Sequence, residues 1–167
     1  MPISLTPGQL KAIVPEAPAS AVLTLNSILA RTSAVTHLRA AMLVSQLATS
    51  SHGFRLLEEK DGRLRPSAPH FGRGWIQLTG RRAYREAGEA LDLDLVRSPD
   101  LVLLHNTEVT AWFWNAHHLH RFSDDGDVDG CVRAISRDGG SPETLSLARA
   151  LYDRACFVLA GAHQLAA

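Results

Sequence analysis

Apolar residues along this chain recur mostly at intervals of three and four, the spacing that gathers them on one face of a helix. Thr6 followed by Pro7 predicts an N-cap and a first helical position, with a short helix through Val14 that stops at Pro15. A second helix is expected from Ala19 to Leu29. The third, about Val35 to Thr49, has Leu38, Ala40, Ala41, Met42, Leu43, Val44, Leu47 and Ala48 almost all round it. A helix without a polar face belongs in the middle of a fold.

Between Lys60 and Gly72 the apolar period disappears, and Gly62, Pro66, Pro69 and several arginines predict a loop. Gly74 to Thr79 alternates and predicts one short strand, whose period of two would put Trp75, Gln77 and Thr79 on one face. An amphipathic helix follows from Arg81 to Leu91. Asn106 is expected to cap a helix through Trp114 with Val109, Trp112 and Phe113 inward, and Asp127 another through Ile135. Ser141, Pro142 and Glu143 start a last helix through Leu159, striped by Leu145, Ala148, Leu151, Ala155 and Val158 or Leu159. The expected fold class is mainly α with one very small β element near 74–79. No period of 20 to 50 residues repeats, which excludes a solenoid.

The length of 167 residues suits a single domain over 1–167. Lysine plus arginine equal aspartate plus glutamate at 17 each, so no field of one sign draws the chain to nucleic acid or an acidic membrane. A neutral polymer such as a polysaccharide fits that balance, and a monomer is expected. Only Lys11 and Lys60 among the cations are lysines; the bias to arginine and alanine points to a GC-rich bacterial or phage genome. Met1 to Val14 lacks the basic and apolar regions of a signal peptide, and no window approaches a membrane span. Cys131 and Cys156 sit in apolar helical patterns, where buried thiols are the default.

Candidate chemistry is sparse without further context. His117, His118 and His120 have spacing that suits a metal but no accompanying carboxylate or cysteine set, and Asp124, Asp125, Asp127 and Asp129 lack the glutamate of a calcium loop, so no metal or cofactor is expected. Glu58 and Glu59 form an acidic pair at a loop edge. His52 is a titratable group at the end of the third helix, either a proton donor or a turn residue. Trp75 either stacks on a sugar ring or fills the core.

Two stretches narrow the choice. Phe71-Gly72-Arg73-Gly74-Trp75-Ile76-Gln77-Leu78-Thr79 resembles the G-R-G-x-I-Q-L-[ST] signature of glycoside hydrolase family 19, the chitinase and phage endolysin type with a lysozyme-like fold. Thr49-Ser50-Ser51-His52-Gly53-Phe54 is similar to that family's [HT]-E-[ST]-x-G-F helix end, and Glu58-Glu59 follow at the spacing of its second acid. The resemblance implies an inverting hydrolase of β-1,4 bonds after N-acetylglucosamine, in chitin or in peptidoglycan of the cell wall. Such chemistry needs one carboxyl to protonate the leaving oxygen and another to activate water on the opposite sugar face. Aligned on the family, Glu59 is the base, Thr79 helps to hold the water, and Ser50 stands where the acid glutamate belongs. Trp75, Gln77, Tyr84 and His52 are the implied substrate-binding positions. Serine has no proton to give at neutral pH, so the implied activity is weak or lost; the alternative is a saccharide-binding or structural module that keeps the fold. Ala83, where the family has asparagine, and Ile135-Ser136-Arg137-Asp138, where it has Ile-Asn-Gly-Gly, depart in the same direction.

Overall fold

A computed structural model describes residues 1–136 and 138–164, so Arg137 lies outside the described residues. Nine α-helices follow one another among them: α1 (Pro7–Ile13), α2 (Ala21–Arg31), α3 (His37–Ser50), α4 (Arg81–Leu91), α5 (Leu101–Leu104), α6 (Asn106–Ala116), α7 (His120–Asp125), α8 (Val128–Ile135) and α9 (Pro142–Gln164). Helix takes up 59% of the chain and strand 2%, so the walls of any cleft must come from helix ends and loops.

Local chemistry accounts for several helix starts. Thr6 Oγ1 accepts from Gln9 N–H (3.2 Å) while Gln9 Oε1 accepts from Thr6 N–H (2.8 Å), a reciprocal cap that satisfies two donors at the head of α1. Asp127 accepts from Gly130 N–H at 2.8 Å and starts α8. Every residue from Ala40 to Ala48 in α3 is buried, whereas Leu38 in its first turn is exposed. The main partner of α3 is α9, which presents Ala148, Leu151, Ala155 and Leu159. Alanines at 148 and 155, both with no exposed surface, let the two helices approach closely enough for Leu43 and Leu47 to be fully buried. Each such leucine contributes about 1.5–3 kcal/mol by leaving water.

Three expectations are corrected. Asn106 is the first residue of α6 and does not cap it; its Oδ1 accepts instead from Trp75 N–H (2.8 Å) and Thr110 Oγ1 (3.3 Å). Trp114 is the fully buried aromatic of α6, and Trp112 and Phe113 are half-buried, because the inward face is the one that meets α2 and α4. The segment 74–79 is a turn and not a continuous strand. Gly74 (φ +73°) and Gln77 (φ +55°) are left-handed and reverse the chain, with Gln77 N–H donating to Gly74 O at 3.0 Å. The β element is as small as expected, two antiparallel bridges joining Glu58 to Arg73 and Arg73 to Leu78. Without a pleat, the period of two fails, and Trp75 does not share a face with Gln77 and Thr79.

Candidate active site

The site forms where the end of α3 meets this turn. Ser50 is half-buried, and its hydroxyl donates to the Trp75 carbonyl at 2.5 Å, with the Gln46 and Leu47 carbonyls at 3.1 and 3.3 Å. One hydroxyl proton cannot serve three acceptors, and the shortest contact takes it. Ser51 Oγ accepts from Phe54 N–H (2.9 Å), closing a left-handed turn in which His52 has φ +50°.

Glu59 arrives by the small β element. Glu59 N–H donates to Gly72 O (2.8 Å) and Gly74 N–H to Leu57 O (2.8 Å), which fixes the carboxylate relative to the turn. Its Oε2 accepts from Gly72 N–H at 3.1 Å and its Oε1 lies 3.2 Å from Arg65 Nε. Gly72 is the point of convergence. A Cβ there would stand 2.6 Å from Gln77 Oε1 and 3.3 Å from both Glu59 Cβ and Thr79 Oγ1, so only glycine lets the three side chains close around this backbone. Gln77 Nε2 donates to Gly74 O (2.9 Å) and Thr79 Oγ1 to Gln77 O (2.8 Å), so both side chains spend donors on backbone and keep oxygens that can accept. Ser50, Glu59, Arg65, Gln77, Thr79 and Ser136 line one open groove of about 520 Å³.

Behind the groove, Arg73 is buried and ties four segments together. Nη1 donates to Pro69 O (2.8 Å) and Tyr84 Oη (3.0 Å), Nη2 lies 3.0 Å from Asp100, and Nε lies 3.4 Å from Glu58. Its guanidinium also rests 3.7 Å above the Phe71 ring. Tyr84 in turn donates to Phe71 O at 2.6 Å. Burial, the larger cause, raises the Tyr84 pKa against the lowering influence of Arg73.

Ser50, Glu59, Gln77 and Thr79 are therefore brought together, and three other expected positions are not. Tyr84 has no exposed surface and supports the 69–73 loop from α4. The Trp75 indole is 5% exposed, packs edge to face on Phe54 at a 4.8 Å centroid distance, and lines a second groove; only its carbonyl reaches Ser50. His52 is exposed on its turn, where its carbonyl accepts from Arg55 Nε at 3.2 Å. Sequence reading missed Arg65 and Arg73. The glycines flanking Arg73 were a usable signal that it enters a tight place, but Arg65 sits among exposed loop arginines with nothing to mark it.

His120, Asp124 and Asp129 have structural work elsewhere. His120 Nε2–H donates to Thr32 O at 2.5 Å while Nδ1 accepts from Trp114 Nε1–H at 3.2 Å, which requires the neutral ring; burial, opposed by the Thr32 bond, lowers its pKa. Asp124 pairs with Arg39 (2.6 and 2.7 Å), and Asp129 with Arg149. Among the described residues no three histidine, cysteine, aspartate or glutamate side chains gather as a metal site. Cys131 and Cys156 are free thiols, and burial pushes that of Cys131 up to about 12.

With this geometry in hand, likeness to known proteins can be placed on it. The family model for glycoside hydrolase family 19, described as Chitinase class I, matches residues 48–138, over half the chain and both sides of the groove. Chitinase 8 of Oryza sativa subsp. japonica is 51% identical over 51 residues, 29% of this chain and 20% of that protein. An endochitinase of Avena sativa is 34% identical over 90 residues, 50% of this chain and 45% of that protein. The chain thus matches less than half the length of these curated relatives. Chitinase C from Streptomyces griseus HUT6037 superposes with a TM-score of 0.72 at 18% identity, covering 92% of this chain and 75% of that one. A bacterial family 19 chitinase superposes at 0.71 and 21% identity, covering 91% and 93%. Structures this distant in sequence speak for the fold, and the matched segment spans both motifs; the chain belongs to glycoside hydrolase family 19 and has that family's lysozyme-like helical fold.

Proposed function

We propose that residues 1–167 act as one monomeric, glycan-directed domain whose groove binds β-1,4-linked N-acetylglucosamine polymers, chitin or peptidoglycan, and hydrolyses them weakly or not at all. The observation that carries this reading is the convergence of Glu59, Gln77 and Thr79 around Gly72, in the groove that Ser50 also lines. The relatives described as chitinases support the substrate class.

In an inverting reaction Glu59, held by Gly72 N–H and Arg65, takes a proton from a water that Thr79 and Gln77 orient. The leaving oxygen needs a proton from the other wall. Ser50 has none to spare, since its pKa as a hydroxyl is far above neutrality and its hydrogen already serves Trp75 O. That same bond favours the second reading, a saccharide-binding module without turnover, because the place of an acid is taken by a structural tether.

Ser50→Glu separates the two. A carboxyl half-buried beside a backbone carbonyl is favoured in its protonated form, the condition for a general acid. Release of reducing ends from N-acetylglucosamine oligomers or cell walls should rise by about 100- to 10,000-fold over the unmodified chain, and Glu59→Gln in that background should abolish the gain. An unmodified chain already as active as Ser50→Glu would sink the lost-acid reading. A folded Ser50→Glu without activity, with oligomer binding intact, would leave the binding module.

A further inference from the structure

The groove does not end at Ser136. Ile76, Gln77, Thr79, Ile135 and Ser136 also line a second chamber of about 450 Å³, so Gln77 and Thr79 on one side and Ile135 and Ser136 on the other form a waist between two connected spaces. The two spaces differ in charge. On the near side, Glu59 and Asp138 face one guanidinium, Arg65. On the far side, Arg82 and Arg133 face one carboxylate, Glu86.

Of the two arginines of the far chamber, Arg133 is the more weakly paired among the described residues. Its nearest anion is Asp129, 3.7 Å away, but Asp129 is already held through both oxygens by Arg149. Arg133 makes no hydrogen bond among the described residues, and its side chain is 58% exposed. Arg82 spends only Nε on Glu86 (2.7 Å), leaving its outer nitrogens available. His117 stacks on Phe113 with ring centroids 4.0 Å apart and donates Nδ1–H to Phe113 O at 2.9 Å, so this end has a flat wall and a free Nε2. Ala83 contributes a methyl where a longer side chain would narrow the space.

The geometry points to the far chamber as a binding site for a carboxylate carried on the sugar next to the one over Glu59, with Arg133 as its principal partner and Arg82 as its second. Resting on the saccharide-binding reading above, this names the preferred substrate class as an N-acetylglucosamine polymer with an acidic substituent on alternate sugars, in preference to the neutral homopolymer. Guanidinium nitrogens present a fork that matches a carboxylate, and both side chains, on α4 and α8, are exposed enough for a ligand to reach them. The carboxylate belongs either to a lactyl ether on the sugar or to a peptide amide-linked to that lactyl group.

NMR titration of the full chain tests this with four tetrasaccharides: chitotetraose, an alternating oligomer with free 3-O-lactyl carboxylates, the same oligomer with these converted to methyl amides, and one with a dipeptide bearing free carboxylates. Signals of Gln77, Thr79, Phe113 and Arg133 report both chambers. Binding of the free-lactyl or the dipeptide form should be about tenfold tighter than that of the methyl amide, and the tighter of the two identifies the source. Arg133→Gln should shrink the difference below about twofold, Arg133→Lys should keep most of it, and 0.5 M salt should erode it. Equal affinity for the acid and amide forms, or a difference that survives Arg133→Gln combined with Arg82→Gln, overturns the inference while chitotetraose binding leaves the saccharide reading standing. If none of the four binds at millimolar concentration, both fall.

Discussion

The turn at 74–77 has a groove on each side, and the two are built differently. On one side Gln77, Thr79 and Glu59 crowd around a bare glycine backbone, and the lining is polar side chains with unspent lone pairs. On the other, the Trp75 indole lies on Phe54 beside Pro18, Leu57 and Leu104 in a space of about 370 Å³ that no charged side chain lines among the described residues. Trp75 N–H donates to Asn106 Oδ1 and the Ser50 hydroxyl donates to Trp75 O, and these two bonds hold the backbone of Trp75 between the grooves. A single residue thus gives its side chain to stability and its backbone to the site. Proximity to the Glu59 carboxylate does not by itself make an aromatic ring a sugar platform.

That division is open to direct attack. The largest effect is expected from Trp75→Ala, which removes a buried ring and should cost about 3–5 kcal/mol in chemical denaturation. If the ring is structural, oligomer affinity of the protein that remains folded should change less than about threefold; an abrupt loss of binding at undiminished stability would put the indole in the substrate path. Gly72→Ala should behave in the opposite way. Its methyl meets Gln77 Oε1 and must spread the polar cluster, at about 1–3 kcal/mol of stability, while binding in the Glu59 groove collapses.

The smallest effect lies away from both grooves, at the corner of α2, α6 and α7. His120 has a folded pKa below its ordinary value of 6.5, so above pH 6.5 it is neutral in both states and its contribution is complete. As pH falls below 6.5 the unfolded chain takes up a proton that the folded one refuses, and stability declines until the lowered folded value is passed. Thermal unfolding between pH 8 and pH 5 should therefore show a drop in Tm that His120→Gln flattens. A pH response of equal size in that variant would assign it to other groups.

Much of the fold was legible because helical periodicity and end chemistry are local. The apolar circumference of α3, the Thr6 cap and the Asp127 cap can all be read within a few residues, and each is where it was expected. The resemblance to family 19 brought Ser50, Glu59, Gln77 and Thr79 to one place before any coordinates did. What failed was long-range. Asn106 has the composition of a helix cap, but a backbone donor 31 residues away claims its oxygen. Alternation over 74–79 suggested a pleat, yet two left-handed residues, one of them the non-glycine Gln77, turn the segment over. Tyr84 lies where the family alignment directs attention, and its hydroxyl is consumed by Phe71 and Arg73 deep inside. No sequence pattern announces which of several polar groups will be used up by backbone.

The bond between Ser50 and the Trp75 carbonyl also bears on how this chain can change. A tether formed by a short side chain couples position 50 to the turn that carries Gln77 and Thr79: a larger residue there, glutamate included, gives up the bond to the Trp75 carbonyl and reaches into the groove instead, so its benefit depends on how well the turn holds without that bond. A second partner for the Trp75 carbonyl, supplied by another substitution, would uncouple the two and free position 50 from its part in holding the turn.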